Sequence, residues 1–472
     1  MVRGYACAHG APAPSRPAAV TYASGDPMSD QAGPSETASA RAPYIEVDET
    51  TARKAATAAL VGTAMEWYDF FLFTTAAAIV FNVQYFHSED PAMATIQSFA
   101  TMGVGFVARP IGAFVFGHLG DRIGRKAVLM ITIIGIGVAT GLIGLLPTYF
   151  QIGIWAPIAL VALRIVQGLA VGGEWGGAVT VAVENAPPAK RARYAVFPQI
   201  GSPIGTLMSS GGFFLMAVIV PTQAFDAWGW RIPFLAAIPL LLVAVYIRKQ
   251  LEESPIFREL EEAGEKESAP VLELFRKSFP QVLVGMGANF LGVGGFFLVT
   301  TFVVSYGTGV LGMTKPLMLG ATLAAAAIEI VVLIYFGRLA ERLGVSRVAV
   351  IGSVATIVIA FPIFLMIEST VPVLVILGVT IGVACLSIPY AVNGALTTAL
   401  FPPSHRLSGV AISANLSAMV SGFVPMLATV FLAATDNAWW PAPAMLAVIA
   451  AITGICSLIA PRVSEDIPGY LR

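Results

Sequence analysis

Apolar residues fall in long blocks separated by short polar breaks, the pattern of a chain that crosses a bilayer core of about 30 Å again and again, at roughly 20 residues per crossing. Twelve blocks are read, at 55–81, 95–117, 127–148, 154–184, 194–220, 230–249, 280–311, 316–337, 347–367, 371–399, 407–434 and 438–460. Several overrun the minimum, which predicts tilted helices or helices that extend beyond the lipid. The one long charged stretch, 250–279, divides the blocks six and six. The organisation expected is an all-α membrane protein: a six-helix bundle at 53–249, a cytoplasmic central loop at 250–279, a second six-helix bundle at 280–461 and a short cytoplasmic tail at 462–472. Residues 1–52, rich in Pro, Ala, Ser and Gly, have no apolar core of signal-peptide length and are expected to be a disordered cytoplasmic tail.

Composition agrees with this pattern. Hydrophobic residues make up 57% of the chain, charged residues 12%, and mean hydropathy is +0.79, whereas a soluble protein carries about 25% charged residues. A net charge of −1 gives no field for nucleic acid. Cys7, Cys385 and Cys456 lie far apart without metal-ligand spacing, so no disulfide framework, metal site or cofactor is expected. Lys and Arg concentrate at one set of ends and loops (Arg53, Lys54, Arg122, Arg125, Lys126, Lys190, Arg191, Arg193, six more from Arg248 to Lys277, then Arg338, Arg342, Arg347, Arg406 and Arg462), while the opposite loops offer Arg231 and Lys315. By the positive-inside rule both termini are expected to be cytoplasmic. Trp155, Trp228, Trp230, Trp439 and Trp440 stand at the other helix ends and are expected to form an aromatic belt.

The halves echo each other. "FGHLGDRIGR" at 116–125 aligns with "FGRLAERLGV" at 336–345, pairing Gly117 with Gly337, Asp121 with Glu341, Arg122 with Arg342 and Gly124 with Gly344. "PPAKR" at 187–191 pairs with "PPSHR" at 402–406. Both echoes fall on the predicted cytoplasmic side, which implies a parallel repeat about an axis along the membrane normal. Two facing six-helix bundles are a transporter architecture.

These segments also carry a family resemblance. "GHLGDRIGRK" at 117–126 resembles the signature loop of the major facilitator superfamily, and "RIVQGLAVGGEWGG" at 164–177 resembles its fourth-helix motif. With "EWYDFF", "ARPIGAFVFG", "WGWRIPF" at 228–234 and "EESPIF" at 252–257, the chain is similar to the metabolite:proton symporter family over roughly residues 53–460. The resemblance implies carriage of organic acids such as citrate, oxoglutarate and shikimate, or of zwitterions such as proline and betaine. It further implies a part in proton transfer for Arg164, and for Arg109 a service to anionic substrates seen in some relatives. The second half departs from the pattern: Glu341 stands where Asp is usual, "GVSR" lacks the adjacent basic pair, and the seventh block, "GANFLGVGGFFLVTTF", is small and apolar.

Four charges inside the blocks bear the chemistry. Glu66 and Asp69, spaced i, i+3, share one face of the first helix. Counted from Ala55 they lie about 17–21 Å along it, near mid-bilayer. An ionised carboxylate there costs about 2.5–3.5 kcal/mol by insertion scales, so each must face a cavity, meet a cation or take a proton. Arg109, followed by Pro110, and Arg164, with Gln167 and Glu174 beyond it, are the cations available. A guanidinium fork can hold a substrate carboxylate or one of these acids. Two readings stand: permanent ion pairs that position the bundle, or a proton site made by Asp69, Glu66, Arg164 and Glu174 beside a substrate site made by Arg109, Tyr68, Gln167, Asn289 and Asn393. Tyr68 is expected at the cavity because its hydroxyl needs a partner. Glu329, alone in its block, is either a second protonation site or a satisfied core group, with the core role preferred.

A cytoplasmic gate is expected from Gly117, Asp121, Arg122, Gly124, Arg125 and Lys126, with Glu184, Arg191 and Arg193 as latch partners. No Walker loop, dinucleotide turn or nucleophile constellation is present, which argues against an ATP-driven pump or an enzyme. Isolated, unrepeated charges argue against a channel. The expected function is a proton-coupled symporter of bacterial inner-membrane type that imports a small carboxylate-bearing metabolite as a monomer, with a zwitterion symporter, a sensor-type homologue, a uniporter or an exporter as alternatives. "MSDQAGPSETASARAP" from Met28 reads as an ordinary polar start. N-terminal sequencing of the native protein is expected to find no peptide from residues 2–27; its recovery would assign the start to Met1.

Overall fold

Where water is absent, every backbone N–H and C=O must find its partner inside the chain, and the helix does this locally. Helix is accordingly the regular structure of the described residues, with no strand among them. The computed structural model describes residues 49–123, 125–172, 179–180, 182–183, 186–187, 190–250, 278–402 and 406–464. Residues 1–48 lie outside the described residues, as do nearly all of the predicted C-terminal tail and of the 250–279 loop.

Each of the twelve apolar blocks has a helical counterpart: α1 (Glu49–Ala76), α2 (Pro91–Ile123), α3 (Arg125–Leu145), α4 (Trp155–Val171), α5 (Arg191–Ile219), α6 (Arg231–Gln250), α7 (Phe279–Phe290), α8 (Lys315–Leu343), α9 (Val345–Glu368), α10 (Pro372–Ala399), α11 (Arg406–Ser421) and α12 (Pro441–Val463). Helix α1 begins at Glu49, ahead of the expected boundary, and runs on through a π-helical turn, Ala77–Phe81. Helix α7 continues through two more π-helical turns, Leu291–Gly295 and Leu298–Phe302, and α11 resumes as Val424–Ala434. Among the described residues nine helical spans are long and apolar enough to cross a bilayer, a tenth is bent by 45° between Gly229 and Arg231, and Met130–Leu145 and Trp155–Val171 are shorter apolar helices. The fourth block continues past Val171 into residues outside those described.

The packing repeats with the sequence. Helix α1 lies along α5, α2 on α4 and α3 on α6; six helices later α7 lies along α11, α8 on α10 and α9 on α12. The two sets meet through α5 against α8 and α2 against α11, which are themselves mates under a shift of six. This is the contact pattern of a parallel repeat about a pseudo-twofold axis.

The α2–α4 seam is the tightest feature that positions charge. A Cβ on Gly112 would strike the Leu169 carbonyl, one on Gly168 the Gly105 carbonyl, and one on Gly172 the Arg109 carbonyl. Backbone therefore meets backbone, as small residues allow in helix pairs within lipid. Arg109 and Arg164 are brought to one face by that approach.

The aromatic belt is only partly realised. Trp155, Trp228 and Trp440 are exposed, but Trp230 is fully buried, edge-on to Phe81, Tyr85 and Phe234. Ring packing holds it in the core and away from the interface.

Replacing Gly112 by Val is expected to destabilise the fold by about 1–3 kcal/mol through forced separation of α2 and α4. Gly309→Ala, at a site with no neighbour within 4 Å of the added Cβ, is expected to be neutral. Thermal unfolding of the detergent-purified variants reads the difference.

Candidate functional site

Glu66, Asp69, Arg109, Arg164 and Gln167 line one cavity between α1, α2, α3 and α4. Four of the intramembrane charges singled out in the sequence thus share a single space. Arg109 Nη1 lies 3.8 Å from Glu66 Oε1, both side chains nearly buried. Arg164 has no carboxylate within ion-pair distance among the described residues; its Nη1 donates to Gln167 Oε1 at 3.3 Å and its Nε is buried without an acceptor. Gln167 Nε2 donates to Thr140 Oγ1 at 2.7 Å, and Thr140 also approaches the Asp69 carboxylate. The guanidiniums are sheathed by rings: Arg164 Cζ lies 4.2 Å from the Phe73 centroid and 4.9 Å from that of Phe70, and Arg109 Cζ lies 4.8 Å from Phe106. Cation–π contact stabilises a desolvated cation without spending a carboxylate on it. Arg164 therefore keeps donors available inside the cavity.

A second cavity, not foreseen from the sequence, lies where the two sets of six helices meet. Its polar lining is made of hydroxyls alone: Thr74, Thr75, Thr206, Ser210, Thr300, Thr301 and Thr322. Thr300 and Thr322 turn their hydroxyls back to helix carbonyls, 2.6 Å to Phe296 and 3.1 Å to Met318, the usual habit of threonine in apolar helices. That habit hides such residues among structural threonines. A usable signal existed nonetheless: "FFLFTT" at 70–75 repeats as "FFLVTT" at 296–301. Its phenylalanines meet across the pseudo-twofold, Phe70 with Phe297 at 5.5 Å and Phe71 with Phe296 at 5.4 Å between centroids. Phe70 lines the charged cavity, and Phe71 and Phe296 line the hydroxyl cavity, so one aromatic layer borders both.

Three expected substrate ligands are engaged elsewhere. The Tyr68 hydroxyl donates to the Pro233 carbonyl at 2.9 Å, so its partner is backbone of α6 and it lines neither cavity. Asn393 Nδ2 donates to Asn289 Oδ1 at 2.8 Å, Asn289 Nδ2 donates to Thr397 Oγ1 at 3.0 Å, and Gln199 of α5 donates to Asn393 Oδ1. These amides form a ladder that ties α5 to α10 and α7. Of the expected set, Gln167 and Arg109 stay at the cavity. The side chains of Glu174, Glu184, Gly117, Asp121, Arg122, Gly124, Arg125 and Lys126 lie outside the described residues.

Ion pairs join the two sets of helices at both ends. At one end Arg193 of α5 grips Glu341 of α8, with Nε 3.1 Å from Oε1 and Nη2 3.2 Å from Oε2. Gly337 of α8 sits directly against Val196 beside this pair. Glu341 is the second-half counterpart of Asp121, so an ion pair between the halves is made by the copy of the signature loop from which it was not expected. Among the described residues Arg191 makes no ion pair with Glu341, and its Nε is buried without a hydrogen-bond partner. At the opposite end Lys315 Nζ lies 2.6 Å from Asp226 Oδ1 and 4.9 Å from the Phe225 ring centroid.

Twelve helical segments in two pseudo-symmetric sets, closed over central cavities by ion pairs at both ends, define a secondary-transporter fold. The model of the family described as "Sugar (and other) transporter" matches residues 54–283. An inner membrane metabolite transport protein of Escherichia coli (strain K12) is 38% identical over 79% of this chain and 86% of its own length. The shikimate transporter of the same organism is 37% identical, covering 82% of this chain and 90% of that protein. The solved D-xylose-proton symporter superposes with a TM-score of 0.65 at 16% identity, over 88% of this chain and 98% of that one. The chain belongs to the major facilitator superfamily, among its metabolite transporters. It is a multi-pass membrane transporter, and its relatives are transporters, not enzymes.

Exchanging the latch charges tests its role. Arg193→Glu alone is expected to open the α5–α8 seam, raising the labelling rate of a cysteine placed at Val196, and Arg193→Glu with Glu341→Arg is expected to restore protection. At 40% and 19% side-chain exposure the coupling expected from the double-mutant cycle is about 1 kcal/mol or less.

Proposed function

We propose that the protein is a proton-coupled symporter of the cell membrane that imports a small carboxylate-bearing metabolite by alternating access, both termini being cytoplasmic. The observation that carries this reading is the charge balance of the first-half cavity. Among the described residues two acids and two guanidiniums face it, and of these Glu66 and Arg109 stand at ion-pair distance. With Asp69 ionised the cavity is neutral. With Asp69 protonated it holds one excess positive charge, centred on Arg164, and a monocarboxylate substrate restores neutrality.

Either passenger alone leaves an unbalanced charge in a low-dielectric space, which is costly. Proton and substrate are thereby coupled by electrostatics, with Asp69 as the proton carrier, Arg164 as the carboxylate anchor, and Glu66 holding Arg109 as a fixed counter-ion. The hydroxyl-lined cavity offers donors and acceptors without charge, suited to the uncharged polar part of such a substrate. A relative named as a shikimate transporter and a fold neighbour named as a proton symporter are consistent with this substrate class and driving force.

Alternating access then requires the end latches to break in turn. The Lys and Arg census assigns the Arg193–Glu341 end to the cytoplasm, where the signature-loop residues Asp121, Arg122, Arg125 and Lys126, with Glu184, are proposed to complete the gate. Glu174 is proposed to adjoin the proton path. The working unit is proposed to be a monomer in the lipid bilayer.

In proteoliposomes, Asp69→Asn is expected to keep substrate counterflow within about threefold of wild type while losing accumulation driven by a proton gradient, and Arg164→Gln to lose both. Accumulation that persists in Asp69→Asn would make that residue structural. Wild-type uptake that survives collapse of the proton gradient would defeat symport itself.

A further inference from the structure

Glu329 sits at the middle of α8, 1% exposed, and both of its carboxylate oxygens are buried without a hydrogen-bond partner. No cation stands within ion-pair distance of it among the described residues. Its neighbours one turn away, Ala325, Ala326 and Leu333, are buried and apolar. The core role expected from the sequence required a satisfied group, and this one is not satisfied.

The internal repeat says what this position is. Gly117 of α2 corresponds to Gly337 of α8, and eight residues before each stand Arg109 and Glu329. Glu329 is thus the second-half counterpart of Arg109. The "FFLFTT" and "FFLVTT" echo likewise makes Gly292 the counterpart of Glu66. In the first half the two positions hold an ion pair; in the second they hold an acid and a glycine. The space over Gly292 is taken by the Tyr390 ring, which a Cβ there would meet. The Tyr390 hydroxyl lies beside Ser202 of α5 and in the fields of both Glu329 and Glu66.

An ionised carboxylate so placed has nothing to offset its desolvation, whereas the acid form does not carry that cost. Helix α10 brings Tyr390 towards it; the charged groups of the other helices packed on α8, Arg191 and Arg193 of α5 and Arg347 and Glu368 of α9, stand at helix ends. Water reaches Glu329 only if a seam of α8 opens. The α5–α8 seam is an inter-half seam, and its latch at Glu341 lies three turns along the same helix, about 18 Å away. Thr322, seven residues the other way and on the same face, lines the hydroxyl cavity. Glu329 stands between the two.

We propose that Glu329 is a second proton-carrying residue, in the second half of the transporter, which takes its proton from water when the halves part at the Lys315–Asp226 end, holds it while the α5–α8 seam is latched at Arg193–Glu341, and releases it to water when that latch opens. The step is simple proton exchange between carboxylate and bulk water. It rests on proton-coupled transport, but not on Asp69 being the other site.

The full-length protein in proteoliposomes tests it by the proton-to-substrate ratio, from reversal potentials. Glu329→Gln, which mimics the acid form, is expected to lower the ratio from two to one while leaving substrate affinity within about twofold, and Glu329→Asp to keep it at two. Infrared difference spectra between closed and inward-open states read the same group without replacing it: a protonated-carboxyl band lost on opening is expected to remain in Asp69→Asn. An unchanged ratio in Glu329→Gln, absence of that band, or a more than tenfold loss of substrate affinity at constant ratio, which would make Glu329 a substrate ligand, would each overturn the proposal. Uptake independent of the proton gradient would instead refute symport and is read in the wild type alone.

Discussion

The constraint on which the rest depends is that charge inside this bundle has no water to fall back on. In the apolar interior every ion must be paired, wrapped or neutralised, and the molecule uses a different solution at each site. Arg109 is paired with Glu66. Arg164 is wrapped by Phe70 and Phe73 and steadied by Gln167. Because a guanidinium stays charged, wrapping leaves it able to accept a counter-ion from outside, and the proposed function uses it so, as the carboxylate anchor. The α2–α4 glycines matter for the same reason: only backbone contact brings the two arginines to one face.

Pseudo-symmetry then divides the work. The scaffold repeats faithfully: the helix pairings recur with a shift of six, and the Phe-Phe pairs cross at its axis. The chemistry does not repeat. The first half keeps its acids and arginines, while the second replaces Glu66 and Asp69 by Gly292 and Gly295 and supplies hydroxyls and amides. Those glycines lie in a π-helical turn of α7, and the α7 hydroxyls of the inter-half cavity come from the next one. Such turns rotate side chains out of the regular helix register and are frequent at functional sites. A charged half facing a neutral, hydroxyl-lined half fits the proposed substrate, with one charged and one uncharged end.

Much of this was legible in the sequence, because its signals are local. Apolar block length fixes the spans, since the bilayer sets the length, and the isolated charges of "EWYDFF", "ARP" and "RIVQG" announced themselves by their cost. What was not legible depends on direction. Tyr68 and Asp69 are adjacent in sequence, yet the helix turns the phenol to Pro233 and the carboxylate to the cavity. Asn289 and Asn393 have the composition of ligands but the geometry of a tie, because amide side chains bond each other as readily as a substrate. Trp230 has the position of a belt residue and the surroundings of a core one. The threonine cavity was written in the sequence twice, but its meaning needed the two copies to be brought face to face.

The latches follow from the same asymmetry. Asp226–Lys315 and Arg193–Glu341 both cross between the halves, and each lies nearer to water than the central arginines, so each is screened and individually weak. Weakness suits a gate: a pair worth about 1 kcal/mol can be traded against its opposite number by a small change in the cavity between them, whereas a strongly bound end would hold the transporter in one state. On the proposed function the buried charges and the end pairs are two parts of one balance, the first deciding when the centre is neutral and the second setting how little energy is needed to turn it towards either side.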